Sequence, residues 1–240
     1  MDLSKELYQQ IREDARPELV EIEGRKYSTS KLNEVLDPQQ NALEVTTLTS
    51  LKDYVESKVD EIDKSKILLH VKSPTEVCII SGVFGEFKQR ALMMQANAST
   101  LPDIKFNAYL HSEPFNIQTQ ACFVDSLDRS KVLAFAGNAQ HVISSGVSDD
   151  GVTQAVSVAA GVASKASKAL PNPVMLQPFR TFLEVEQPAS AFIFRAQGGE
   201  DGKAIMFGLW EADGGAWRMI AMQNIKKWLM ENIPNVDVIA

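Results

Sequence analysis

The stretch from Trp210 to Ile233, WEADGGAWRMIAMQNIKKWLMENI, carries the chain out of a strand and into a helix through two glycines. Glycine accepts the backbone angles of a sharp exit from a strand. The carboxylate of Asp213 is placed to accept a backbone N–H at the helix start. Trp217, Ile220, Ala221, Ile225, Trp228 and Leu229 then fall on one helical face, with Arg218, Lys226, Lys227 and Glu231 mostly off it. Every residue thus has a structural role in an amphipathic helix that lays its apolar face on a sheet. The competing reading is an anion site, because the free N–H groups of a helix start attract phosphate. Glu211 and Asp213 would repel such a ligand, and neither GxxxxGK[ST] nor GxGxxG occurs. Trp210, Asp213, Gly214 and Gly215 are kept as candidate ligand contacts under that second reading.

Upstream of this stretch, AIMFGLWEA and SAFIFRAQ read as strands, joined by the turn GGEDGK. VMLQPFRTFLEV reads as another strand, pushed towards an edge or bend by Pro178, with Pro188 acting likewise beyond it. Val152, Val156, Val158 and Val162 alternate with small residues, which favours a strand through Val162 after the loop SSGVSDDG. DSLDRSKVLAFAG predicts a helix capped by Asp125 or Ser126 and ended by Gly137. Before it, SEPFNIQTQACF predicts a helix whose face holds Phe115, Thr119, Cys122 and Phe123. KILLHV, TEVCIISGVF and FKQRALMMQA predict an antiparallel meander.

Nearer the N-terminus, Leu3, Leu7 and Ile11 recur at helical spacing up to Pro17. ELVEIEGRKYS predicts a hairpin around Gly24, STSKLNEVL a short helix and ALEV a strand. TSLKDYVESKVD predicts a helix bearing Leu51, Val55 and Val59 behind a Thr or Ser cap. The order is mixed rather than regularly βαβ. It predicts an α+β fold: mostly antiparallel sheet, flanking helices, and the C-terminal amphipathic helix packed on the sheet. The charged link DEIDKSK divides a small N-terminal α+β unit, 1–60, from a main domain, 61–240.

Bulk composition bounds the function. The 240 residues are 45% hydrophobic and 23% charged, as in ordinary globular chains. No run of about 20 apolar residues is present to span a membrane, and the polar N-terminus lacks a secretory signal core. Cys78 and Cys122 sit in apolar runs and read as buried thiols of a reducing compartment, the cytoplasm. The net charge of -7 argues against broad binding to a phosphate backbone, so nucleic acid is a disfavoured partner.

His70, His111 and His141 lie far apart and show no metal-ligand spacing, so no metal and no cofactor is expected. No G-x-S-x-G elbow occurs, so no catalytic residue is assigned. The acid pairs Asp149–Asp150 and Glu200–Asp201 flank glycines and read as solvated turn carboxylates. Arg180 and Arg195 are different, because each lies inside an apolar strand pattern, QPFRTF and FIFRAQ. A buried guanidinium needs a carboxylate or phosphate partner. One reading is an exposed face or an ion pair to Glu184, Glu186 or Glu211. The other is an anion-binding pair helped by Phe179, Phe194 and Trp210. Arg90 is a weaker candidate.

PNPVMLQPFRTFLEVEQPASAFIFR, the helix stretch WEADGGAWRMIAMQNIKKWL and SPTEVCIISGVFGEFKQR together resemble a family of uncharacterised proteins encoded by tailed phages and prophages, chiefly of Gram-positive hosts. The resemblance covers most of the chain beyond about residue 40. It implies a phage-encoded protein acting in the cytoplasm of the host cell, and it carries no catalytic residue. With the motifs above, it favours a non-enzymatic, self-associating binding protein, a homo-oligomer. Its cargo would be a small anionic, nucleotide-like signal of host defence. Two alternatives stay open: an enzyme processing a nucleotide or phosphoester, and an accessory protein of phage DNA recombination or replication.

Overall fold

The computed structural model describes residues 5–22, 24–28, 41–57, 59–85, 88–139, 147–149, 154–156, 172–197 and 205–240. The chain divides into two compact units, Met1–Gln39 and Gln40–Ala240. In the first, helix α1 (Lys5–Asp14) stops short of Pro17, and β1 (Leu19–Ile22) pairs antiparallel with β2 (Arg25–Ser28). Gly24, at φ +75°, makes the tight turn that joins them.

The second unit is built from two helix-on-sheet layers. Its elements in chain order begin with β3 (Leu43–Val45), α2 (Leu48–Glu56), β4 (Ile67–Ser73), β5 (Glu76–Ser81), β6 (Leu92–Asn97) and β7 (Tyr109–His111). Then come α3 (Ser112–Ala121), α4 (Leu127–Ala139), β8 (Val147–Asp149), β9 (Gln154–Val156), β10 (Val174–Leu176), β11 (Ser190–Gln197), β12 (Met206–Glu211), α5 (Trp217–Asn232) and β13 (Asp237–Ile239). The fold is α+β with mostly antiparallel sheets. Among the described residues, only β13 with β4 and β3 with β6 run parallel.

One layer is a five-stranded sheet, ordered β13-β4-β5-β6-β3. Alternation puts Ile67, Leu69 and Val71 inward, opposite Val77 and Ile79 and then Met94 and Ala96. Leu48, Leu51 and Val55 of α2 and Ile225, Leu229 and Ile233 at the end of the chain close this core. The other layer is a four-stranded sheet, ordered β10-β11-β12-β7. Its core is aromatic: Phe194 and Phe207 meet each other, Phe115 of α3 and Phe135 of α4 with ring centroids 5.5 to 5.8 Å apart, and Phe192 packs on Phe106 and Phe123.

Several sequence expectations need correction. Residues 41–56 pack on the five-stranded sheet rather than with the N-terminal unit, because Leu48, Leu51 and Val55 belong to its core. Helix α2 ends at Glu56, capped by Ser57, so Val59 stands outside it and exposed. Helix α4 starts behind Ser126, whose hydroxyl accepts the Arg129 N–H at 3.1 Å, and it runs through Gly137. Ile220 is exposed, off the buried stripe of Trp217, Ala221, Ile225 and Leu229. Within FKQRALMMQA only Leu92 onward is strand, and part of the expected loop SSGVSDDG is β8. VMLQPFRTFLEV is strand only through Leu176, so Arg180 sits in a connecting segment. The helix expected in STSKLNEVL beyond Ser28, the strand beyond Val156, the turn GGEDGK, His141, Asp150, Glu200 and Asp201 lie outside the described residues.

Candidate functional site

Residues 177–189 join β10 to β11 and tie the two layers together. At one end, Phe179 N–H donates to the Cys122 carbonyl and Val124 N–H to the Gln177 carbonyl, beside the aromatic layer. Further on, Phe182 and Val185 insert into the aliphatic core. Glu184 Oε1 accepts the N–H groups of Leu48 and Thr49 at 2.8 and 3.2 Å. It therefore completes the start of α2, where the Thr47 hydroxyl accepts from Ser50 N–H. Asn224 of α5 donates to the Glu186 carbonyl at 3.0 Å.

The loop is shaped from inside by Gln187, which is buried. Its side-chain oxygen accepts from the Arg180 and Thr181 N–H groups, and its amide nitrogen donates to the Phe182 and Val185 carbonyls. One carboxamide thereby satisfies four backbone groups that the loop would otherwise bury unpaired.

That loop holds Arg180 in the interior, 8% exposed. Its Nη1 donates to Glu211 Oε1 at 2.7 Å and its Nη2 to the Ser190 hydroxyl. Ser190 in turn donates to Asp213 Oδ2 at 2.7 Å, and Asp213 Oδ2 lies 4.0 Å from Arg180 Nη2. The guanidinium lies 3.8 Å from the centroid of the Trp217 ring and 5.9 Å from that of Phe192. This stack offers the cation partial compensation for lost water. Burial pushes the Arg180 guanidinium down to about 10, while Glu211 and Asp213 pull it back up. It is charged at neutral pH.

Asp213 takes up the cap role at the strand-to-helix turn. Its Oδ1 accepts the Gly215 N–H at 3.0 Å. Burial raises its carboxyl. The Ser190 hydroxyl, the Gly215 N–H, the Arg180 charge and the Trp217 N–H together outweigh burial and hold it below the usual carboxylate range. Gly214 and Gly215 adopt φ of +62° and +82°, which explains why both positions are glycine. The cap position itself, Ala216, makes no side-chain bond, so the carboxylate three residues earlier does this work. Asp213 itself accepts the N–H groups at this helix start, and Glu211 pairs with Arg180 beside it.

The six candidate ligand residues therefore separate. Arg180, Asp213, Gly214 and Gly215 gather at this inner cluster. Arg195 and Trp210 lie on the opposite face of the four-stranded sheet. On β11, Ser190, Phe192 and Phe194 face the aromatic core, so Arg195 projects the other way, opposite Gly208 in register. Arg180 reaches the Ser190 and Phe192 side, so the two arginines do not converge. Trp210 leans over Gly208: a Cβ there would sit 2.6 Å from the indole and 2.6 Å from the Ala108 carbonyl. Tyr109 packs edge-on against Trp210 at 4.8 Å. Arg90 donates to the Ser81 carbonyl at an exposed turn.

Ser190 and Gln187 carry no signal in the sequence, and Glu184, expected as a partner for the arginines, instead accepts the N–H groups at the start of α2. A serine that starts a strand and a glutamine before a proline carry no periodic signal, and only the folded loop shows what they hold. Trp217 was read as core alone.

Among the described residues no three His, Cys, Asp or Glu side chains gather to hold a metal ion. Cys78 and Cys122 are free thiols, and burial pushes both up, away from the reactive thiolate form. No helix among the described residues is long and apolar enough to cross a membrane. No protein-family model, curated protein or solved structure matches the chain.

Proposed function

We propose that this chain is a non-catalytic binding protein that associates with copies of itself, encoded by a phage and acting in the cytoplasm of its host. The observation that carries the reading is the placement of its large apolar side chains. The helices cover one face of each sheet, while Met175 and Tyr109 stand exposed beside the half-buried Ile193 and Trp210 on the outer face of the four-stranded sheet. Such faces are characteristic of surfaces that meet a partner. The best-placed charges, by contrast, close on one another around Arg180, which suits scaffolding better than reaction machinery. The phage assignment is supported by the sequence resemblance.

A small anionic, nucleotide-like cargo fits the outer face better than the inner cluster. There Trp210 and Tyr109 offer aromatic edges to a base, and Arg195 adds a cationic side chain on the same face. Native mass spectrometry of the full chain, taken directly from expressing cells, tests both parts. The expected spectrum shows a multiple of 26.5 kDa carrying a releasable small anion. A 26.5 kDa monomer with nothing retained overturns the reading.

A further inference from the structure

We infer that Asp128 guards the open edge of β10 and keeps the four-stranded sheet from taking up a strand of a second copy. The inference goes beyond the self-association proposed above: it closes one route to association and holds whether or not copies meet elsewhere.

β10 is an outermost strand of its sheet, and all three of its residues, Val174, Met175 and Leu176, are apolar. An unprotected edge of that kind is a template for a further strand. The register shows which groups it would offer. Met175 stands opposite Ala191, and the Ala191 carbonyl is taken by the Ala212 N–H on the side away from β10. Met175 and Ala191 are therefore a pair that exchanges no bonds, and the Met175 backbone points to the open edge. Further along, the edge is already closed. Val124 N–H donates to the Gln177 carbonyl at 2.8 Å and Phe179 N–H to the Cys122 carbonyl at 2.9 Å, with Phe123 antiparallel to Pro178 between them. Pro173, before the strand, has no N–H to offer. Within β10 itself the outward donor is the Met175 N–H.

Asp128, in the first turn of α4, takes that donor: its Oδ2 accepts the Met175 N–H at 3.0 Å. Lys131 Nζ donates to Oδ1 at 2.9 Å and steadies the carboxylate in place. The Met175 N–H and then Lys131 hold the Asp128 carboxyl below the usual carboxylate range, so it is charged at neutral pH. The bond lies in an exposed setting, and the Met175 residue is 48% exposed. Water could serve an N–H there, so desolvation does not demand a carboxylate. What the carboxylate adds is occupancy and charge. An incoming strand must break a charge-assisted bond and set its own carbonyl against the Asp128 oxygens.

The test compares wild type, Asp128→Ala, Asp128→Asn and Asp128→Ala/Met175→Pro as full chains. Hydrogen exchange reads the Met175 amide, and size-exclusion chromatography with light scattering reads mass at matched concentrations. In Asp128→Ala the amide is expected to exchange roughly tenfold faster, and the mass to rise above that of wild type with concentration. Asp128→Asn, whose side-chain oxygen still accepts, is expected to match wild type. Met175→Pro removes the donor on an edge strand, where proline is tolerated, so the double variant is expected to return to the wild-type mass. A wild-type mass in Asp128→Ala, at any exchange rate, overturns the guard. Excess mass that persists in the double variant places the contact at another surface and overturns it too. Should Asp128→Ala lose its far-ultraviolet circular dichroism, wild type and Asp128→Asn decide. A protected Met175 amide in both supports the inference, and exchange at the solvated rate in either overturns it.

Discussion

The two ends of β11 treat their arginines in opposite ways. At its start, Ser190 helps hold Arg180 in a buried cluster with Glu211, Asp213 and Trp217. Towards its end, Arg195 projects to the outer face beside Gly208, half-buried. Both arginines follow phenylalanine in apolar sequence, QPFRTF and FIFRAQ. What separates them is which face of the sheet each reaches. The inner arginine is locked by partners it cannot lose cheaply.

The sharpest way to break this contrast is Arg180→Met. It leaves Glu211 and Asp213 without their cation, and removing one member of a buried pair typically costs about 3–5 kcal/mol. Urea unfolding should show a loss of that size; a loss below about 1 kcal/mol would mean the cluster is not a keystone.

The same cluster predicts an acid limb. Asp213 is held low in the folded state, so its contribution is complete above the unfolded aspartate value of about 4 and is lost as pH falls through the lower folded value. The urea midpoint of wild type should fall on acidification through that window, and Asp213→Asn should fall less steeply. Equal slopes would remove Asp213 from the account.

Gly208→Ala tests the outer face. Its Cβ would overlap both the Ala108 carbonyl and the Trp210 ring, so a loss of roughly 1–3 kcal/mol is expected with a change in tryptophan fluorescence. Glu184→Ala should cost about 1 kcal/mol by uncapping α2, read as a lower thermal midpoint.

Much of the fold was legible in sequence because periodicity reports which side of an element is buried. The meander β4 to β6, the helix α3 with Phe115 and Thr119 inward, and the stripe of α5 all follow from spacing. The strand β13 was not visible: NVDVIA is short, and only the parallel pairing with β4 makes it a strand. Residues 177–189 misled for a related reason. Phe179, Phe182 and Val185 look like strand residues, yet they stand in a loop wrapped around Gln187, with Phe182 and Val185 inserted into the aliphatic core.

By itself, the sequence determined the α+β class and the glycine turn before α5, and it marked Arg180 as a side chain that would need an anionic partner once buried, since these depend on local backbone preference and on desolvation. Tertiary structure alone decided that the partner comes from within the chain, Glu211 and Asp213, and that Arg195 faces away. The reason is geometric: strand register and face bring groups distant in sequence together, and no local pattern encodes which carboxylate will arrive.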